Sequence, residues 1–406
     1  MKLNVAVVFG GKSTEHEISI ITALQAVENI DKDKYNVLVV YIDKNGDFYY
    51  SNADLLNDSK NFSDTKSLLA KCELVNFIKE KKKVFIKSLN NKFLKKKTCQ
   101  QVDIVFPIVH GTNVEDGNLQ GYFHTFDLPV VGPDCLSAAV SMDKYLMKMY
   151  CKAISVPVLD AIKFDKEDYK DVDKIVSDIE REFKYPVIIK PVNLGSSIGI
   201  SKADNKEKLL TALELAFSFS NVILVEPAVV NLREFNCAVV GDRFNCELSE
   251  IEEPFGNDEN LSFADKYLSG KKYGKVGGGS KGKLTNSTGK ISDSSVGSKS
   301  GMASLKRKIP ADISTDLKDE INENAIKIFK NIGLSGVARI DFIYDTSNNK
   351  VYANEVNAVP GSLSYYLFEP KGIKYKELLD KLIKIALDNY KAAERLNFTF
   401  ESNVLK

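Results

Sequence analysis

Near the C-terminal end, Gly336-Val-Ala-Arg-Ile-Asp-Phe-Ile-Tyr-Asp345 and Val351-Tyr-Ala-Asn-Glu-Val-Asn357 flank a short polar turn, and Pro360-Gly361 follows. This pair constrains the chain more than any other feature. Ala338, Ile340, Phe342 and Tyr344 alternate with Arg339, Asp341 and Ile343, the period of two of a half-buried strand. On the return strand Tyr352 and Val356 take the apolar face, and Glu355 and Asn357 the other. Thr346 to Lys350 suits a three-residue hairpin loop, since Asn tolerates positive φ. With Thr346 paired to Lys350, Asp341 lies opposite Glu355 and Arg339 opposite Asn357. Opposed carboxylates repel, so this face wants a cation. Carboxylate and amide oxygens are what Mg²⁺ accepts, usually sharing its shell with substrate phosphates. Arg339 would face charge developing beside such a metal. Taken alone, the stretch also reads as a solvated hairpin face.

At 406 residues the chain is too long for one ordinary core and points to two or three domains. A net charge of +1 argues against nucleic acid or a membrane surface as partner. The N-terminus is strand-like, with no export-signal pattern, and no apolar run approaches the roughly 20 residues of a membrane helix. Six scattered cysteines without metal-ligand spacing read as free thiols in a reducing cytoplasm. Three histidines make a multi-histidine zinc site improbable.

Leu3 to Phe9 reads as a strand ending in the Gly10-Gly11 turn, and Thr14 with Glu17 fits a capping box opening a helix. Ala6 stands where a Walker loop needs glycine, so Glu15 and His16, at an exposed helix entrance, are the residues that could carry a ligand. Asn36 to Ile42 and Val102 to Val109 read as further strands of a doubly wound parallel sheet. Between them, the lysine-rich runs of residues 50–100 read as solvated surface on an insertion. The loop His110-Gly-Thr-Asn-Val-Glu-Asp-Gly117 falls at the ligand-binding edge of such a sheet. One helix is expected from about Leu136 to Ile154, carrying Asp143-Lys144. Val187 to Lys190 is a strand ending in lysine before Pro191-Val-Asn-Leu-Gly-Ser-Ser-Ile-Gly199, whose N–H groups and hydroxyls, Ser197 included, suit a phosphate. A plain hairpin turn is the alternative there. Glu226 ends another apolar strand. From Gly256 to about Met302 the composition turns to Gly, Ser and Lys, which reads as a mobile loop long enough to be a lid.

Together these pieces resemble the D-alanine–D-alanine ligases of the ATP-grasp superfamily. The resemblance is carried by Gly10-Gly-Lys-Ser-Thr-Glu-His-Glu17, His110 to Gly117, Ser141-Met-Asp-Lys144, Lys190-Pro-Val-Asn-Leu-Gly-Ser-Ser197, Lys266-Tyr267, Arg339-Ile-Asp341 and Asn354-Glu-Val-Asn-Ala-Val-Pro-Gly361. It implies an α/β ATP-grasp fold in three parts. These are an N-terminal substrate-binding domain over 1–132, a central ATP-grasp domain over 133–228, and a catalytic domain over 229–406 with its mobile loop at about 256–302.

The resemblance also implies roles. Lys144, Lys190 and Ser197 would meet the phosphates of ATP, and Glu226, Val229 and Glu234 the adenine and ribose. Asp341, Glu355 and Asn357 would hold two Mg²⁺ ions, or Mn²⁺. Glu15 would take the first D-alanine's ammonium, with Ser196 and Tyr267 completing a network under the lid. Arg339 and the Gly361 N–H would stabilise the oxyanion. His110, Lys266, Ser364, Tyr366 and Leu367 would line the substrate site. Tyr366 stands where typical members carry a serine that helps bind the second substrate's carboxylate. The implied partners are ATP and D-alanine, in a cytoplasmic homodimer. D-serine or D-lactate as acceptor, or a non-catalytic nucleotide-binding relative, are the competing readings.

Overall fold

The computed structural model describes residues 2–51, 53–89, 98–255, 307–402 and 404. Three sheets organise them. The first has the order β6-β5-β4-β3-β2-β1-β7, where β1 is Leu3–Gly10, β2 Tyr35–Ile42, β3 Phe48–Tyr50, β4 Glu73–Glu80, β5 Lys83–Ser88, β6 Cys99–Val102 and β7 Ile104–Ile108. β1 is parallel to β2 and β7, and its near-continuous apolar run is buried on both faces, as a central parallel strand requires. The Gly10 turn that follows has φ +93°, and a Cβ there would lie 2.2 Å from the Ile42 carbonyl oxygen.

The stretch expected to be solvated insertion instead extends this sheet through antiparallel β3–β6. Val75 and Phe77 on β4, with Val84 and Ile86 on β5, alternate with exposed or half-buried residues at period two and enter the core. The charged run Glu80 to Lys83 is only the exposed hairpin tip joining them.

The second sheet, in the order β10-β9-β11-β8, contains β8 Ile162–Asp165, β9 Val187–Pro191, β10 Ser201–Ala203 and β11 Val222–Pro227. The third, β14-β13-β12-β15-β16, contains β12 Leu232–Gly241, β13 Cys246–Pro254, β14 Arg307–Lys308, β15 Gly336–Asp345 and β16 Lys350–Asn357. Helix Thr315–Ile332 is capped by the Ser314 side chain and ends on Gly333, and it packs Ile321, Ala325, Ile328 and Phe329 against the third sheet. Helix Tyr375–Ala393 returns to the N-terminal sheet, burying Leu378, Leu379, Leu382 and Ile383 with Val5, Val7 and Phe9.

Two further expectations are corrected. The single helix over 136–154 is two, Cys135–Met142 and Lys144–Ala153. Asp143 between them is extended (ψ 107°), and its carboxylate accepts from Tyr145 N and Leu146 N, so it caps a new helix instead of continuing the old one. The first helix starts at His16, and no Thr14 capping box forms. The Ser13 hydroxyl accepts from Glu15 N and donates to His110 O, tying the helix entrance to the neighbouring loop.

Candidate active site

The three sheets meet around a cleft of about 540 Å³. Its floor is the hairpin β15–β16. Asp341 pairs with Glu355 and Arg339 with Asn357, the register read from the sequence. The route to that register differs. The turn closes on Asp345–Lys350, one residue earlier than expected, and a bulge at Asp341/Phe342 leaves Asn354 as the extra residue. The bulge also reverses the facing of the outer strand. Val351, Ala353 and Val356 are buried, while Tyr352, expected on the apolar face, is half-buried on the other. Arg339 donates from Nε and Nη2 to the two oxygens of Asp341, each at 2.7 Å. Burial pushes the guanidinium's pKa down, but Asp341 more than offsets this, so Arg339 stays charged. Asn357 Nδ2 donates to Asp341 Oδ2 at 3.1 Å.

The lysines arrive from above. Lys144 Nζ donates to Leu194 O at 2.6 Å and lies 3.4 Å from Glu355 Oε2. Lys190, on β9, ion-pairs with Glu226, its diagonal neighbour on β11, and donates to Asn354 Oδ1 at 3.3 Å. Glu226 is 2% exposed. Its second oxygen lies 2.9 Å from Lys148 Nζ. Burial pushes the Glu226 carboxyl up, yet the two lysines hold it below the ordinary carboxylate range. Lys148 is fully buried and burial lowers its pKa. Sequence reading missed Lys148. The available signal was its position one helical turn after Lys144.

On the N-terminal side, Glu15 and His16 are buried, not exposed. His16 is structural: its ring nitrogens meet Gly11 O and the Tyr41 hydroxyl. Glu15 points into the cleft and accepts a hydrogen bond from Ser196 Oγ. Ser196 and Ser197 have φ of 53° and 58°, so the loop turns left-handed there. A Cβ on Gly195 would sit 2.7 Å from Glu15 Oε2, so any larger residue there would have to displace the Glu15 carboxylate from its present position. His110 is buried and its Nε2 lies 3.1 Å from Thr22 Oγ1; burial pulls its pKa down to about 4.

Glu115, also missed, receives the N–H groups of Gly111 (2.9 Å) and Val359 (3.0 Å), joining the 110–117 loop to the segment after the hairpin. Burial and the neighbouring Glu15 push its carboxyl up to about 8.

Val229, Glu234 and Gly361 also line the cleft. Ser364, Tyr366 and Leu367 are buried and are not among the lining residues. Ser362, Leu363 and Ser364 form three successive left-handed residues (φ 54°, 48°, 49°) that turn the chain away after Gly361. The Tyr366 hydroxyl donates to Glu252 Oε1 at 3.3 Å, so it does not point at the cleft as a serine substitute would. Lys266, Tyr267 and the expected loop at 256–302 lie outside the described residues. Among the described residues, no three His, Cys, Asp or Glu side chains converge as a metal cage. The hairpin offers two carboxylates and an amide.

The arrangement is one cleft with buried lysines above an acidic hairpin, suited to a polyphosphate held with a hard cation. A family model described as the D-ala D-ala ligase N-terminus matches residues 4–133, and one described as the D-ala D-ala ligase C-terminus matches residues 150–278 and 296–384. The D-alanine–D-alanine ligase of Thermosipho melanesiensis is 34% identical, covering 100% of this chain and 98% of that protein. The structure of the D-alanine–D-alanine ligase from Coxiella burnetii superposes with a TM-score of 0.74 at 27% identity, covering 97% of this chain and 96% of that one. The VanG D-Ala:D-Ser ligase of Enterococcus faecalis superposes with a TM-score of 0.73 at 28% identity, covering 95% of this chain and 100% of that one.

Proposed function

This chain belongs to the D-alanine–D-alanine ligase family, and on that premise we propose how its cleft divides the work of the reaction. The reaction is the ATP-dependent ligation of two D-alanines into D-alanyl-D-alanine for peptidoglycan synthesis. A carboxylate is a poor electrophile. Phosphorylation by ATP converts the first D-alanine to an acyl phosphate, and the amine of the second displaces the phosphate. Such chemistry demands mainly positioning, charge neutralisation and exclusion of water.

In our reading Lys144 and Lys190 hold the ATP phosphates, with the Ser197 loop beside them. The backbone at Val229, with Glu226 and Glu234, holds adenine and ribose. Glu226 also clamps Lys190 and Lys148, which fixes one phosphate lysine before nucleotide arrives. The donor set fits a hard divalent cation: Asp341 and Glu355 are opposed, and Asn357 shares their face. These three would hold the metal, which we assign as two Mg²⁺ or Mn²⁺ ions; when bound it neutralises phosphate charge. Glu15, oriented by Ser196, takes the ammonium of the first D-alanine, with His110 behind it. Arg339 and the Gly361 N–H face the oxyanion. We further propose domains at 1–132, 133–228 and 229–406, and a cytoplasmic homodimer. Among the described residues, no helix is long and apolar enough to cross a membrane.

The observation that carries the reading is the convergence in one cleft of Glu15–Ser196, of Lys144 and Lys190, and of the Asp341–Glu355 pair. The test is phosphate release from ATP with D-alanine added, with the product identified by mass. Dipeptide and phosphate in equal amounts are expected. Phosphate release that is independent of D-alanine, or clear preference for D-lactate as acceptor, would sink it.

A further inference from the structure

We propose that Arg307 binds the carboxylate of the second, attacking amino acid, and that Tyr366 lies beneath it as a positioning residue that does not touch substrate. The inference rests on the ligase reading and names the part of the cleft that takes the acceptor.

One row of side chains crosses the third sheet: Glu252 pairs with Asn236, Asn236 with Asp341, and Asp341 with Glu355. All four line the cleft. Strands lie about 4.8 Å apart, so Glu252 stands about 10 Å from Asp341, room for one small amino acid beside the metal-side carboxylates. At this far end a buried cluster is built. Arg307 Nη1 donates to Glu252 Oε2 at 2.5 Å, Asn236 Nδ2 donates to Glu252 Oε1 at 2.8 Å, and the Tyr366 hydroxyl reaches the same oxygen at 3.3 Å. The Arg307 guanidinium lies 4.1 Å from the centroid of the Tyr366 ring. Arg307 lines the cleft and Tyr366 does not.

An arginine fork matches a carboxylate, and stacking on an aromatic face fixes the plane in which it is offered. Of the other two arginines that line the cleft, Arg233 forks onto the two oxygens of Glu253, and Arg339 gives two of its nitrogens to Asp341 and so belongs to the metal end. Arg307 stands at the other end, where the acceptor's carboxylate must go if its amine is to reach the acyl phosphate. Glu252 holds Arg307 in place, and Tyr366, whose hydroxyl is spent on Glu252, supplies the surface on which it rests. The competing reading is a mere strand pin: Arg307 on the two-residue β14 holding to Glu252 on β13.

Steady-state kinetics of dipeptide formation on the full chain separates the two. The variants are Arg307→Gln, Arg307→Lys and the double Glu252→Gln/Arg307→Gln, which leaves no lone buried charge. A hydroxylamine trap for the acyl phosphate reads the first half-reaction. For acceptor binding, KM for the second D-alanine should rise about tenfold to a hundredfold in the Gln variants and about tenfold in Arg307→Lys, the loss of one charge-assisted contact. The kcat and KM for ATP should change far less. Tyr366→Ala should raise the same KM and Tyr366→Phe, which keeps the ring, should change it least. An acceptor KM within about threefold of wild type in any of the Arg307 variants that stays folded overturns the proposal and leaves the strand pin. Absence of trapped hydroxamate with the wild-type protein overturns the ligase reading instead.

Discussion

Glu355 and Glu252 stand at opposite ends of one row across the third sheet, and they live in different surroundings. The Glu252 side chain is 1% exposed and meets Arg307 at 2.5 Å. The Glu355 side chain is 21% exposed and lies 3.4 Å from Lys144. Both are strand carboxylates of the same sheet, facing the same way. The first has its cation built in at hydrogen-bonding distance. The second is held loosely, opposite another carboxylate, and open to the cleft. The difference teaches how to separate a structural carboxylate from one kept for a ligand: look for the one that stays open to the cleft.

That contrast can be broken experimentally. Glu355→Gln should lower kcat on the order of a thousandfold, the scale of losing a key electrostatic contact at the reacting centre, while the thermal midpoint stays put. A melting curve beside a turnover assay checks both halves; near-normal turnover at saturating Mg²⁺ would make Glu355 an ordinary surface residue. Glu252→Gln should act first on stability. It strands a buried guanidinium and should cost about 3–5 kcal/mol of stability, measured by denaturant unfolding.

A third test concerns pH. Between the ordinary carboxylate value and about 8, the unfolded chain has released the Glu115 proton and the folded chain keeps it. Stability therefore falls as pH rises through that window. His110 acts oppositely: between its ordinary value and about 4 the unfolded chain takes up a proton that the folded chain refuses, so stability falls as pH drops. Thermal midpoints against pH should fall off on both sides, with Glu115→Gln flattening the alkaline limb and leaving the acid one. The smallest effect should come from Asn354→Ala. It removes one half-buried contact to Lys190 and should weaken ATP binding by about 1 kcal/mol, a few-fold in KM.

Much of the molecule was legible in its residues, though unevenly. The Asp341–Glu355 register was right because two errors cancelled: the turn is one residue longer than read, and the Asn354 bulge restores the phase. Periodicity alone reveals neither, since a bulge is set by the partner strand. Strands β4 and β5 were hidden by lysines on their outer face, although Val75, Phe77, Val84 and Ile86 carried the period of two. The burial of Glu226 between two lysines has no local signal, because they come from a different strand and from a helix distant in sequence. The Glu252–Arg307 pair joins residues on either side of the long polar stretch, and no local pattern announces it.

The side-chain contacts that reach across the cleft at the site are polar. Glu15 meets Ser196 between the first and second sheets, and Lys144 meets Glu355, and Lys190 Asn354, between the upper elements and the third. Each is a bond that a water molecule can replace almost in kind, whereas an apolar seam would resist wetting. The second sheet can therefore part from the hairpin at small cost in free energy, while the apolar cluster that joins Val5 and Val7 to Ala238, Val337 and Leu378 holds the first and third sheets together. Dissolved ions weaken the charged stitches, so ionic strength becomes a handle on how readily the halves of the molecule come together around their cargo.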